Sequence, residues 1–127
     1  MTDVSHPHAR SENIMGTILY GTPPAAIEVE DRALAHLQIV IINKFRRDER
    51  FLLTLDPSPH AGTGRRGVWM HPTIPIQFEF KGSRQPTINP EWVEALMERA
   101  NSGAGLRIVP EPTSAAAVPL RRAEPAA

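Results

Sequence analysis

The 127-residue sequence contains no cysteine, which excludes disulfides, thiolate nucleophiles and thiolate metal sites together. Lysine is almost as scarce, with only Lys44 and Lys81 against twelve arginines. Alongside abundant alanine, proline and glycine, that bias reads as GC-rich coding rather than selection for arginine chemistry. Net charge is also absent, because fourteen acidic residues balance fourteen basic ones. No global field therefore draws the chain to nucleic acid or to a membrane surface. The longest apolar run, near Leu37 to Ile42, falls far short of the ~20 residues of a membrane span. The N-terminal region lacks the basic start and continuous apolar stretch of a secretion signal. What is present suits a small soluble cytoplasmic protein: room for one domain, and a 41% hydrophobic share for one ordinary core.

Composition divides the chain into three parts. Residues 1–13 are polar and interrupted by Pro7, and are expected to form a disordered extension. Residues 14–110 carry the periodic signal of a folded domain. Residues 111–127 are rich in alanine and proline, offer little to bury, and are expected to form a disordered tail. No internal repeat is visible.

Within the domain, Ile14–Tyr20 and Ala26–Glu30 read as strands separated by the turn Gly21-Thr22-Pro23-Pro24. Asp31 is a plausible N-cap for a helix running to about Arg47. At ~100° per residue, Leu34, Leu37, Ile41 and Phe45 form one stripe, with Arg32, His36 and Asn43 opposite. The β-branched run Ile39-Val40-Ile41-Ile42 makes this helix apolar on more than one side, so a second helix or a partner subunit is expected to cover the surplus. Phe51–Leu55, Gly67–His71 and Ile74–Phe80 follow as strands. Asn89 caps a second helix, with Pro90 at its first position and Trp92, Val93, Leu96, Met97 and Ala100 at helical spacing. Leu106–Val109 suits a short last strand. The order ββαβββαβ predicts an α+β fold: one mainly antiparallel sheet with two helices on one face.

Candidate chemistry is sparse. Gly62-Thr63-Gly64-Arg65-Arg66-Gly67 matches G-x-G-x-x-G, but strands flank it where a dinucleotide fingerprint needs a following helix. A hairpin loop is the stronger reading, with an anion on Arg65 and Arg66 as the minor one. The histidines offer no metal set. His6 and His8 lie on the N-terminal extension, His60 lies in the loop, and His71 ends a strand where it would hydrogen-bond backbone. No nucleophile elbow or H-E-x-x-H motif is present, and no catalytic residue, cofactor or metal is expected. Trp69 and Trp92 are both expected to be core residues.

The charge distribution is locally uneven. Between Lys44 and Arg84 lie eight bases, Lys44, Arg46, Arg47, Arg50, Arg65, Arg66, Lys81 and Arg84, against four acids, Asp48, Glu49, Asp56 and Glu79. Most of these bases fall at element ends or in loops. They form a candidate nucleic-acid or anion-binding edge, weighed against an ordinary solvated surface.

Several strings resemble a small domain family of unknown function from high-GC Gram-positive bacteria. They are Met15-Gly16-Thr17-x-x-Tyr20-Gly21, Ile27 through Gln38, Val68-Trp69-Met70-His71-Pro72, Gly82-Ser83-Arg84-Gln85-Pro86-x-Ile88-Asn89, and Ala100-Asn101-Ser102-x-x-Gly105-Leu106-x-Ile108-Val109-Pro110-Glu111-Pro112. The resemblance covers Met15 to Pro112. Members of that family often begin at the equivalent of Met15, so the preceding residues are expected to be an extension or an early start. Many members carry the label "ATP-dependent DNA ligase". A ligase of that class uses a lysine nucleophile in a K-x-D-G setting, and neither Lys44 nor Lys81 has the aspartate.

Three functional expectations follow, in order of preference. The first is a non-enzymatic cytoplasmic interaction domain, with a homodimer or another protein as partner. The second is a DNA-associated accessory module that binds phosphate backbone, weakly and sequence-independently, through the basic edge. The third is the ligase that the label states, which the residues disfavour.

Overall fold

The computed structural model describes residues 14–57 and 64–113. The expected N-terminal extension, residues 114–127 of the expected tail, His60 and the Gly62-Thr63 start of the glycine-rich motif lie outside those residues. Eight elements follow in the predicted order: β1 (Met15–Tyr20), β2 (Ala25–Glu30), α1 (Asp31–Arg46), β3 (Phe51–Leu55), β4 (Arg66–Met70), β5 (Ile76–Glu79), α2 (Pro90–Ala100) and β6 (Leu106–Arg107).

The α+β class is as the sequence predicts, but the strands form two three-stranded sheets, β2-β1-β5 and β4-β3-β6, and not one. Every pairing is antiparallel except β3 with β6. Two local features divide the strands. The sixteen residues of α1 carry the chain ~24 Å along the helix axis before β3 begins. Then Pro72 and Pro75 between β4 and β5 remove backbone donors that a β4–β5 hairpin would need. The chain turns there through Ile74 N–H to His71 O (3.1 Å), and β5 pairs with β1 instead.

Each helix serves its own sheet. α1 packs on β1 and β2, α2 packs on β3 and β6, and the helices pack on each other. One core joins them, from Ile18, Ile27 and Val29 of the first sheet through Leu34, Leu37 and Ile41 of α1 to Leu53, Met70 and Leu106 of the second. Full burial of each large aliphatic side chain contributes roughly 1.5–3 kcal/mol. The surplus apolar face of α1 is thus met largely within the chain, although Ile42 remains exposed.

Both ends of α1 are set by atoms that the sequence pattern alone does not reveal. Glu30 is the N-cap and makes no side-chain cap; Asp31, expected in that role, is the first helical residue. β2 runs into the helix with no intervening residue. Asp31 N–H therefore donates to Ile14 O (2.8 Å), while the carboxylate accepts from Lys81 N–H (3.0 Å) and Gly82 N–H (2.8 Å). Gly16 lies beneath this junction, where a Cβ would stand 2.6 Å from both Asp31 Oδ1 and Glu79 O. At the other end, Asp48 takes φ 59°. Its N–H donates to Phe45 O (2.9 Å) and Glu49 N–H to Lys44 O (2.9 Å), the paired bonds of a Schellman motif.

The start of α2 is as predicted. Asn89 Oδ1 accepts from Glu91 N–H at 3.0 Å, with Pro90 at the first position.

Candidate functional site

In β4, Val68 and Met70 turn toward the core and leave the opposite parity to solvent, so Trp69 is 56% exposed and not a core residue. The register places Trp69 directly across from Leu52, and Gly67 across from Thr54. The neighbouring Thr54–Arg107 pair extends this outer face onto β6. Arg50 and Arg65 stand one residue before β3 and β4, where continued strand alternation would give them the parity of Leu52 and Gly67. The outer face of the second sheet therefore carries the exposed Trp69 indole and Arg107, with Arg50 and Arg65 just beyond the strands at the two ends of the β3–β4 hairpin.

A cleft of about 400 Å³ continues this face toward the helix ends, lined by Arg50, Leu52, Trp69, Asn101, Ser102 and Gly105 among others. Gly105 is required at its floor: its φ is +95°, and a Cβ would lie 2.9 Å from Leu52 O. Tyr20 anchors the rim. Its hydroxyl donates to Trp69 O (2.6 Å) and accepts from His71 N–H (2.9 Å), tying β1 of the first sheet to the end of β4. His71 Nδ1 in turn accepts from Thr73 N–H (3.2 Å), the local backbone role expected of it.

The eight bases do not gather on one edge. Lys44 is 5% exposed; its ammonium donates to Asn101 Oδ1 (2.6 Å) and pairs with Glu49 Oε1 (2.9 Å). Arg47 pairs with the same carboxylate at 3.2 Å, and these two bonds hold the Glu49 carboxyl below its ordinary pKa. Arg46 and Arg50 are exposed near this helix end. Arg66 pairs with Leu55, at the opposite end of the β3–β4 hairpin from Phe51. Lys81 follows β5 and binds through its backbone to Asp31, so it sits at the far end of the ~24 Å helix axis from Arg46. Arg84 lines a separate groove of about 290 Å³ with Ala35, Ile39, Phe80, Pro86 and Ile88. Of the predicted set, only Arg50 and Arg65 flank the Trp69 face.

A polar cluster at the start of α2 was the least legible feature. His36 is fully buried, not solvent-facing, and its ring stacks at a tilt on Trp92 with centroids 4.5 Å apart. Its Nδ1–H donates to Arg32 O (2.7 Å) and its Nε2 accepts from Asn89 N–H (2.8 Å), which fixes the neutral Nδ1–H tautomer. Desolvation by burial lowers its pKa. Arg32 holds Glu111 in a two-pronged ion pair, and Asn89 Nδ2 donates to the same carboxylate (2.9 Å). Glu111, assigned by composition to the tail, therefore belongs to the folded domain. Trp92 is buried as predicted, and its Nε1–H donates to Val109 O at 2.9 Å. Every polar atom named in this cluster has a partner, which marks it as a structural lock on the C-terminal segment.

Among the described residues, no group of three or more His, Cys, Asp or Glu side chains is placed to hold a metal ion. No helix among them is long and apolar enough to cross a membrane.

Comparison with known proteins places the chain in a family described only as a domain of unknown function (DUF7882), matched over residues 15–111. The chain belongs to that family, which spans β1 through Glu111 and so includes both the Trp69 face and the Arg32–Glu111 lock. No curated protein and no solved structure shows significant similarity to it.

Proposed function

We propose that this domain is a non-enzymatic interaction module that presents the outer face of its second sheet to a partner. The exposed indole of Trp69 carries this reading. An indole left more than half exposed forgoes a large part of what full burial of a large apolar side chain supplies, roughly 1.5–3 kcal/mol. Here it stands on a strand whose backbone the Tyr20 hydroxyl fixes from the other sheet. The preference for protein–protein or protein–ligand contact over chemistry is supported by Lys44. Lys44 Nζ is buried between Glu49 and Asn101, so it is not a free nucleophile. The cysteine-free composition suits the reducing cytoplasm in which we place the protein.

Two experiments test this reading. Proteins and nucleic acids retained from source cells by the wild type and by Trp69→Ala are compared by quantitative mass spectrometry and sequencing. Selective loss with the variant is expected, and identical sets would overturn the assignment of the face. Incubation with labelled ATP is expected to leave no lysyl-adenylyl phosphoramidate, a base-stable and acid-labile mark, on Lys44 or Lys81. Such a mark would replace the module with an ATP-dependent DNA ligase.

A homodimer remains a second form of the same reading, now motivated by Ile42 alone on α1. Sedimentation at high concentration is the measurement. A DNA-associated accessory role no longer draws on a continuous basic edge, because α1 separates Lys81 from Arg46. It draws on the arginines around Trp69.

A further inference from the structure

We propose that the outer face of the β4-β3-β6 sheet binds single-stranded nucleic acid, with a base stacked on Trp69 and backbone phosphates held by Arg50 and Arg65. The proposal rests on the reading of this face as a partner surface and assigns the chemistry of that partner.

Three observations converge on it. Trp69 is the exposed aromatic ring on the open face of a sheet, where a base can lie flat on the indole. Its same-face neighbour is Gly67, which has no side chain to obstruct a planar ligand running along the strand. Arg50 and Arg65, one residue before β3 and β4, flank this platform at the two ends of the hairpin and make no ion pair among the described residues. Of the nearby described acids, Glu49 is shared by Lys44 and Arg47, and Asp56 stands largely exposed 3.5 Å from Arg107 Nε. Among the described residues the face therefore keeps a surplus of positive charge, although the whole chain is neutral.

Geometry favours single strands over duplex. Trp69 and Leu52 are cross-strand neighbours that line one shallow cleft on the sheet face, where the ring is offered to an unpaired base and not to a duplex groove. A duplex hides its base faces in the stack, and would use the arginines while leaving the ring without a role. An unpaired strand uses both. An acidic peptide would use the charge but not the flat ring.

The test uses the full chain and a fluorescent oligothymidylate of about a dozen nucleotides, a length within the site sizes of sheet-face binders. Anisotropy is followed at low and moderate salt, with the matching duplex and polyglutamate as competitors. The expected result is binding that weakens with salt and is displaced poorly by duplex or polyglutamate. Trp69→Ala should weaken it roughly tenfold, while Trp69→Phe restores much of it. Charge reversal at Arg50 and Arg65 should flatten the salt dependence. Circular dichroism of each variant confirms the fold, and the Phe variant keeps the test decisive if the Ala variant fails to fold. Equal affinity of wild type and both Trp69 variants would overturn the stacking assignment. Preference for duplex would replace it with backbone binding, and equal displacement by polyglutamate would reduce it to polyanion attraction. Absence of binding at low salt would sink the nucleic-acid proposal alone. The interaction-module reading would then stand or fall on the Trp69-dependent retention of proteins.

Discussion

Arg32 grips Glu111 through two parallel contacts, Nε to Oε1 at 2.8 Å and Nη2 to Oε2 at 2.7 Å, across 79 positions of sequence. The pair joins the first turn of α1 to the last described stretch of chain, and it makes the C-terminal segment part of the domain. Fork-to-carboxylate geometry is the strongest arrangement available to an ion pair. Partial exposure of both side chains keeps its net value to about 1 kcal/mol.

The bond from Arg32 holds the Glu111 carboxyl down to a pKa of about 2, from an ordinary 4.5. A depressed carboxyl contributes stability that is full above its unfolded pKa and disappears as pH falls through the folded one. Denaturant midpoints should therefore decline from about pH 4.5 toward pH 2, and Glu111→Gln should flatten that decline. A variant with the wild-type pH profile would show that the pair carries no linkage.

His36 adds a second acid-sensitive step. Burial lowers its pKa below 6.5, so it stays neutral in the fold while the unfolded chain takes up a proton. Its contribution is full above pH 6.5 and is lost as pH drops toward the folded value. Protonation would also turn Nε2 into a donor facing the Asn89 N–H. Nitrogen NMR should report the Nδ1–H tautomer at neutral pH. His36→Phe should cost about 1–3 kcal/mol by leaving the Asn89 amide without an acceptor.

The tryptophans should behave oppositely. Trp92→Ala empties a core position and should cost about 3–5 kcal/mol. Trp69→Ala should change stability by less than about 1 kcal/mol. Acrylamide should quench the Trp69 emission readily and that of Trp92 poorly. Comparable destabilisation by the two variants would contradict the exposed placement of Trp69.

Glycine is required at two positions for different reasons. Gly16→Ala drives a Cβ to 2.6 Å from Asp31 Oδ1 and Glu79 O, where β1, α1 and the end of β5 meet. Gly105→Ala adds a clash with Leu52 O to a left-handed backbone. Each should lower stability by about 2 kcal/mol or more in urea unfolding. Asp48→Gly should do the reverse, because the Schellman turn holds Asp48 at φ 59°. A gain of about 0.5 kcal/mol is expected after the extra freedom of the unfolded chain is counted.

The local content of the sequence was sufficient for much of the fold. The Asn89-Pro90 start of α2, the alternation in Phe51–Leu55 and the stripe Leu34-Leu37-Ile41 each follow from periodicity and capping chemistry that neighbouring residues determine. The parity of β4 was legible too: Val68 and Met70 share one face, and Trp69 shares the other with Gly67 and Arg65. A preference for buried tryptophan obscured that signal.

Tertiary structure alone decided the rest, because it depends on contacts between distant residues. Whether Lys44 meets phosphate or Glu49 and Asn101 depends on where α2 ends relative to α1. His36 appears solvent-facing on its own helix and is buried only because Trp92 and Asn89 arrive from 53 or more residues away. The division into two sheets likewise follows from which strand β5 reaches after its prolines. Periodicity reports the face that a residue occupies on its own element, and only packing determines what covers that face.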